Sequence, residues 1–271
     1  MTEKFLLTAI TADPHFIRAA DDAGVDRIGI DVERLGKSRR QGHIAGARIS
    51  EQRMEELATV TAHARQAEVF VRINPVNDES EREIDHAISL GAHVVMLPQF
   101  HSVWEVERFV SLLDGRATAV LLLETTGALE CVANIVRIDG VSEVMVGLND
   151  LHLALGMSNH FDVVVSDAMR RIADVVRDAG LRFGFGGVAR PGDDSLPVAP
   201  DLVLAQYGRL SATSAWLSRS FFRGLRPEDM ADAVQSVRRR LTMWQAQPES
   251  VLDAERARLT ARLRLLASAV A

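Results

Sequence analysis

Two acidic side chains and one arginine stand at the ends of apolar runs, where a charge is costly to bury unless it is paired or bound. Glu124 closes Ala119-Val-Leu-Leu-Leu, Asp150 follows Val144-Met-Val-Gly-Leu-Asn, and Arg72 closes Val69-Phe-Val. No histidine or cysteine accompanies the two carboxylates in those runs, so their oxygens suit a hard cation such as Mg2+ or Mn2+. Two protein ligands leave positions open for water and for a chelating substrate. A small 2-oxo acid fits, because its carboxylate and keto oxygens can close a chelate ring on one ion. Arg72 would present a permanently charged fork to the substrate carboxylate or to an enolate oxygen. It would equally serve to neutralise Glu124 or Glu33 in an ion pair at the same place.

These residues must be positioned by strands. Short runs rich in Val, Ile and Leu recur along the chain, each followed by a stretch with helical spacing. Strands are predicted at Phe5–Ile10, Arg27–Asp31, Val69–Ile73, His93–Leu97, Ala119–Glu124, Glu143–Gly147, Arg182–Gly186 and Leu202–Gln206. Helices are predicted at Pro14–Ala23, Glu51–Ala67, Glu79–Leu90, Val103–Leu113, Leu129–Ile138 and Ser166–Ala179, several ending before a Gly. Alternation of this kind implies a parallel sheet with crossover helices. Eight units, and no glycine in the first strand-to-helix turn (Thr11-Ala-Asp-Pro-His15), favour a closed (β/α)8 barrel, the TIM-barrel class, over an open dinucleotide-binding sheet. The predicted organisation is a barrel domain over 1–225 and C-terminal helices over 226–271. Pro227–Trp244 and Glu249–Val270 are the amphipathic segments there, expected either to cover the barrel or to pack on a neighbouring subunit.

A chain of 271 residues accommodates such a barrel, and 47% hydrophobic content with only 5% aromatic residues suits strands buried on both faces. A net charge of -6 argues against a nucleic-acid partner. Cys131 is the single cysteine, which excludes an intrachain disulfide and fits a reducing, cytoplasmic setting. Neither an export signal nor a membrane span is expected, since the first residues lack the required pattern and no apolar run nears ~20 residues. Lys4 and Lys37 are the only lysines, and neither falls on a predicted strand end, so Schiff-base chemistry is not expected. An enolate would be stabilised instead by the metal and Arg72 as preorganised positive charge.

Five segments in order resemble the HpcH/HpaI aldolase and citrate lyase β-subunit family of the phosphoenolpyruvate/pyruvate barrel superfamily. They are Gly24-Val-Asp-Arg-Ile-Gly-Ile-Asp-Val-Glu33, Val71-Arg-Ile-Asn-Pro75, Gly91-Ala-His-Val-Val-Met-Leu-Pro98, Leu123-Glu-Thr125 and Gly147-Leu-Asn-Asp-Leu151. The similarity runs from about Gly24 to Phe222. It implies a metal held by Glu124 and Asp150, a pyruvate-like group contacted by Arg72, and a substrate site that includes Gly147, Leu148 and Asn149. It also implies a homo-oligomer, since this family commonly exchanges its last helix between subunits.

The pattern breaks after strand 2. Arg34 stands where the aldolase branch carries a proton-transferring His and the citrate lyase branch an Asp, and a guanidinium is no general base. Leu122 stands where aldolases tend to carry a Gln, as in the citrate lyase branch. His15, His43, His101 and His152 follow predicted strands. His43 is the preferred replacement base, because its loop replaces the one carrying the family's base. Arg39 and Arg40 beside it would suit a substrate phosphate or second carboxylate. Gly184, Gly186 and Gly187 strip side chains from strand 7, either to admit a ligand or for packing. Arg209-Leu-Ser-Ala-Thr213 falls where barrels often bind phosphate. The leading expectation is a metal-dependent carbon–carbon lyase or aldolase acting on a 2-oxo acid. An acyl-CoA lyase or thioesterase, and a 2-oxo acid binding protein without catalysis, are the alternatives.

Overall fold

The computed structural model describes residues 4–37, 40 and 50–268. In chain order the elements are β1 (Leu6–Ile10), α1 (Pro14–Asp22), β2 (Arg27–Asp31), α2 (Leu57–His63), β3 (Glu68–Arg72), α3 (Ser80–Ser89), β4 (Val94–Leu97) and α4 (Val103–Leu113). Then come β5 (Thr118–Leu123), α5 (Thr126–Ile135), β6 (Val141–Val146), α6 (Leu148–Ala154), α7 (His160–Val165) and α8 (Asp167–Asp178). The chain continues with β7 (Arg182–Val188), α9 (Pro200–Arg209), β8 (Ser214–Leu217), α10 (Arg219–Phe222), α11 (Met230–Gln245) and α12 (Glu249–Ser268). The strands close in sequence order into an eight-stranded barrel, every pair parallel, with β8 returning to β1.

Alternation along each strand sorts side chains between the barrel interior and the helical shell. Phe70, Val94, Met96, Val120, Leu122 and Met145, with Ile10 and Trp216 against them, fill the interior as a small apolar cluster. The larger core lies between sheet and helices. Beneath the interior cluster, Arg27 donates to Glu143 and Glu68, and Ser214 donates to Glu143. This buried ion pair is satisfied on both sides, which is what allows charge at the barrel floor. Above the cluster, the same inward spacing carries each strand to its C-terminal end at Asp31, Arg72, Glu124 and Gly147.

Seven of the predicted strands overlap observed ones, and the eighth is corrected. Leu202–Gln206 lies inside α9, which starts with Pro200 in its first turn and buries Val203, Leu204, Ala205, Gln206 and Tyr207. That helix is covered by α11 and α12 as well as by the sheet, so it shows no polar face and reads like a buried strand. The true β8 has only four residues. Arg209–Thr213 therefore precedes β8 at the opposite end from the strand-end residues. Arg209 is buried there, donating to Gln206 and to the Val164 carbonyl, and is no phosphate site. The segment Asn149–Val165 contains most of α6 and all of α7.

α11 packs on α9 and α1, and α12 packs on α9 and α7 of the same chain. Leu252, Leu259 and Leu263 supply the buried face of α12, and Arg256 ties it to the Val165 carbonyl. No helix among the described residues is long and apolar enough to cross a membrane.

Candidate active site

Glu124 follows β5 directly and is held in place by its neighbour. The Thr125 hydroxyl donates to the Phe100 carbonyl at 2.6 Å and accepts from the Ala128 N–H, so one side chain ties the β4 end to the β5 end and caps α5. Asp150 lies in the first turn of α6, whose N-cap is Gly147. The Gly147 N–H donates to the Leu123 carbonyl at 2.9 Å, which brings the two strand ends side by side. A Cβ on Gly147 would lie 2.3 Å from Glu124 Oε2, so glycine is what makes room for that carboxylate. Both acids are buried, Glu124 at 3% and Asp150 at 6% exposure. Burial, and then the charges of Glu33 and Asp150, push the Glu124 carboxyl up to about 8.

A second acidic pair stands across the mouth on β2. Asp31 accepts two bonds from Arg72, 2.8 Å from Nε and 2.6 Å from Nη2, and Glu33 lies 3.5 Å from the same guanidinium. The first partner of Arg72 is thus Asp31, which the sequence did not suggest, and Glu33 is a second, longer one. Burial pushes the Asp31 carboxyl up, but Arg72 and Lys37 outweigh it and hold it at about 2. Burial works against the Arg72 charge, yet Asp31, Glu33 and Glu124 raise its pKa above the ordinary value. The Arg72 guanidinium also stacks 5.2 Å over the Trp216 ring, which forms a floor beneath it.

Lys37 lies beyond the strand end, yet its side chain reaches the site. It is buried at 3% exposure, with Nζ 3.0 Å from Asp31 and 3.1 Å from Glu33. It is the ion-pair partner of those two carboxylates. Arg40 turns inward too. Its guanidinium lies 2.5 Å from Glu33 and 3.4 Å from Asp150, rather than waiting for a substrate phosphate. Arg39 and His43 lie outside the described residues.

Arg34 turns away from this cluster. Its side chain donates to the Glu51 and Gln52 carbonyls, and its backbone N–H donates to Asn74 Oδ1. It lines a cleft of about 500 Å3 beside the mouth, with Arg53, Asn74, Arg82, Glu83 and His86, that Glu124 and Asp150 do not touch. Of the other candidate histidines, His15 pairs with Arg18, His101 is exposed, and His152 hydrogen-bonds the Leu148 carbonyl one turn back. The strand 7 glycines divide: a Cβ on Gly184 would strike Ser214 Oγ at 2.1 Å, a packing reason, whereas Gly186 leaves open space beside Trp216. Leu148 is buried and Asn149 exposed at the start of α6.

Sequence reading located Glu124, Asp150 and Arg72, which the fold gathers at one mouth. It missed the pairing roles of Asp31 and Lys37, and it missed Gln99. Asp31-Val-Glu33 at the end of an apolar run was the available signal. Gln99 follows β4 and donates its N–H to Glu124 Oε1 at 3.2 Å.

No group of three or more His, Cys, Asp or Glu side chains among the described residues forms a complete cation cage. The donor set nevertheless fits a hard divalent ion. Burial, then the charge of Glu33, then that of Asp150 raise Glu124, and a cation bound by Glu124 and Asp150 would offset that cost. Among the described residues, four acids (Asp31, Glu33, Glu124, Asp150) and three cations (Lys37, Arg40, Arg72) stand together at the mouth.

The barrel is shared with solved structures at low identity. Citrate synthase SbnG superposes with a TM-score of 0.60 at 20% identity, covering 86% of this chain and 94% of that one. An HpcH/HpaI aldolase/citrate lyase family protein from Burkholderia cenocepacia gives 0.62 at 18% identity, covering 87% and 95%. Protein CitE from Mycobacterium tuberculosis, solved with magnesium and acetate, gives 0.58 at 16% identity, covering 93% and 96%. No curated protein matches the sequence. The family model for HpcH/HpaI aldolase/citrate lyase matches residues 4–195, and this chain belongs to that family.

Proposed function

We propose that this protein is a divalent-metal-dependent carbon–carbon lyase or aldolase acting on a small 2-oxo acid through a pyruvate-like enolate. The observation that carries the reading is the pair of buried carboxylates beside Arg72, Glu124 directly after β5 and Asp150 in the first turn of the helix that follows β6. These two side chains would hold Mg2+ or Mn2+, and a magnesium-containing relative of the same fold supports that choice. When bound, the ion supplies Lewis-acid polarisation of the keto group. Arg72, fixed by Asp31 and stacked on Trp216, places a charge next to the substrate carboxylate or enolate oxygen without reorganising. The backbone of Gly147, Leu148 and Asn149 is assigned to the other end of that group. Arg34 is committed to loop carbonyls, so proton transfer falls to His43 or to water.

The test is cleavage of 2-oxo acid aldols with and without EDTA. Wild-type turnover is expected to disappear with chelator and return with Mg2+ or Mn2+, and Glu124→Ala should lose at least about a hundredfold in kcat/KM, roughly 3 kcal/mol. Metal-independent turnover, or a fully active Glu124→Ala, sinks the reading.

A CoA thioester is the second reading, favoured by one observation: a cleft of about 500 Å3, lined by Arg53 and Arg82 as well as Glu79 and Glu83, lies beside the mouth, where the rest of a long substrate would lie. Comparing CoA thioesters with free acids separates the two. A reducing compartment belongs to this proposal as well.

A further inference from the structure

β4 ends at Leu97, and Gln99 follows with a φ of 51°. That left-handed conformation is strained for a residue with a side chain, and persists only where its surroundings impose it. The other described non-glycine residues with positive φ, Asp114 and Ser211, sit in turns that follow helices, where such conformations are common. Gln99 instead follows a strand at the mouth.

The strained turn does two things. It aims the Gln99 N–H at Glu124 Oε1, and it buries the side chain to 6% exposure. The amide is then close enough to the Glu124 carboxylate to favour its ionised form, but Nε2 has no hydrogen-bond partner. A buried donor left unmade is unfavourable, and native structures keep few of them without a reason. Oε2 of Glu124 already faces Gly147 across a gap too small for a Cβ. An unpaired amide donor beside the Glu124 carboxylate, one of two that can hold a cation, calls for an acceptor oxygen carried by the ligand of that cation.

We propose that Gln99 is a substrate-contacting residue, whose side-chain amide donates to an oxygen of the 2-oxo acid held at Glu124 and Asp150. The inference rests on the metal and 2-oxo acid reading above and names a further residue of the same site. It predicts that the Gln99 side chain contributes more to binding of the organic acid than to binding of the ion. A purely structural Gln99, propping Glu124, would affect the ion first.

Calorimetric titration distinguishes these. Mg2+ is titrated into the intact protein, and oxalate, a planar diacid that presents paired acceptor oxygens, is then titrated into the Mg2+-loaded protein. Gln99→Leu keeps the side-chain bulk and the backbone strain while removing the donor. Gln99→Gly removes both donor and strain, and serves should the leucine variant fold poorly. The expected result is oxalate affinity about tenfold weaker in both variants, with Mg2+ affinity within about twofold of wild type. Oxalate binding unchanged in Gln99→Gly, or an equal loss for Mg2+ and oxalate, overturns the proposal. Wild-type protein that binds Mg2+ but not oxalate overturns the 2-oxo acid reading and this proposal together. That failure appears before any variant is measured, so the two are distinguishable.

Discussion

Asp31 shows what a single side chain contributes to this mouth. It takes both arms of Arg72 and the Lys37 ammonium, and those cations hold its carboxyl at about 2 against an ordinary 3.8. A carboxyl lowered on folding stabilises the native state above its unfolded value, and that stabilisation is lost as pH falls through the folded one. The difference corresponds to roughly 2–3 kcal/mol. Asp31→Asn is therefore expected to lower stability by about that amount at pH 7, with the gap to wild type closing as pH falls from 3.8 toward about 2. Urea unfolding across that range checks it, and a gap that stays constant with pH would show that the ion pairs are not its source. At this scale Glu124, Asp150 and Arg72 were legible because each interrupts or ends an apolar run. Lys37, Gln99 and the carboxylate partners of Arg40 were not, because they depend on contacts across loops that no local pattern encodes.

Elements decide whether the carboxylates can converge. The β5 and β6 ends meet through the Gly147 N–H and the Leu123 carbonyl, and Glu124 occupies the space that a Gly147 side chain would take. Gly147 has a φ of -83°, which any residue adopts, so its substitution tests space and not backbone freedom. Gly147→Ala is expected to leave the fold intact by circular dichroism while weakening Mg2+ binding at least about tenfold, or roughly 1.4 kcal/mol, through displacement of Glu124. Unchanged Mg2+ affinity would remove Glu124 from the ion's coordination. The misplaced eighth strand belongs to this scale too. Leu202–Gln206 is apolar because α9 is covered on several sides, and burial alone does not distinguish a short helix segment from a strand. The true β8, Ser214–Leu217, offers too few residues for any periodicity to register.

For the whole molecule, the C-terminal helices close one side of the barrel, and Leu259 on α12 is fully buried against the same chain. Leu259→Ala is expected to cost about 2–5 kcal/mol. With α12 docked on its own barrel, the thermal midpoints of wild type and variant should not depend on protein concentration. A midpoint that rises with concentration would instead place α12 on a neighbouring subunit, as the family resemblance suggested. By itself the sequence determined the barrel class, the family and the strand-end trio of Glu124, Asp150 and Arg72, because apolar periodicity and its interruptions are local properties of a chain. Only the tertiary structure decided that Arg72 answers to Asp31, that Lys37 and Arg40 turn inward, and that Gln99 carries an unmatched donor. Those are matters of distance across strands and loops, and distance is set when the barrel closes.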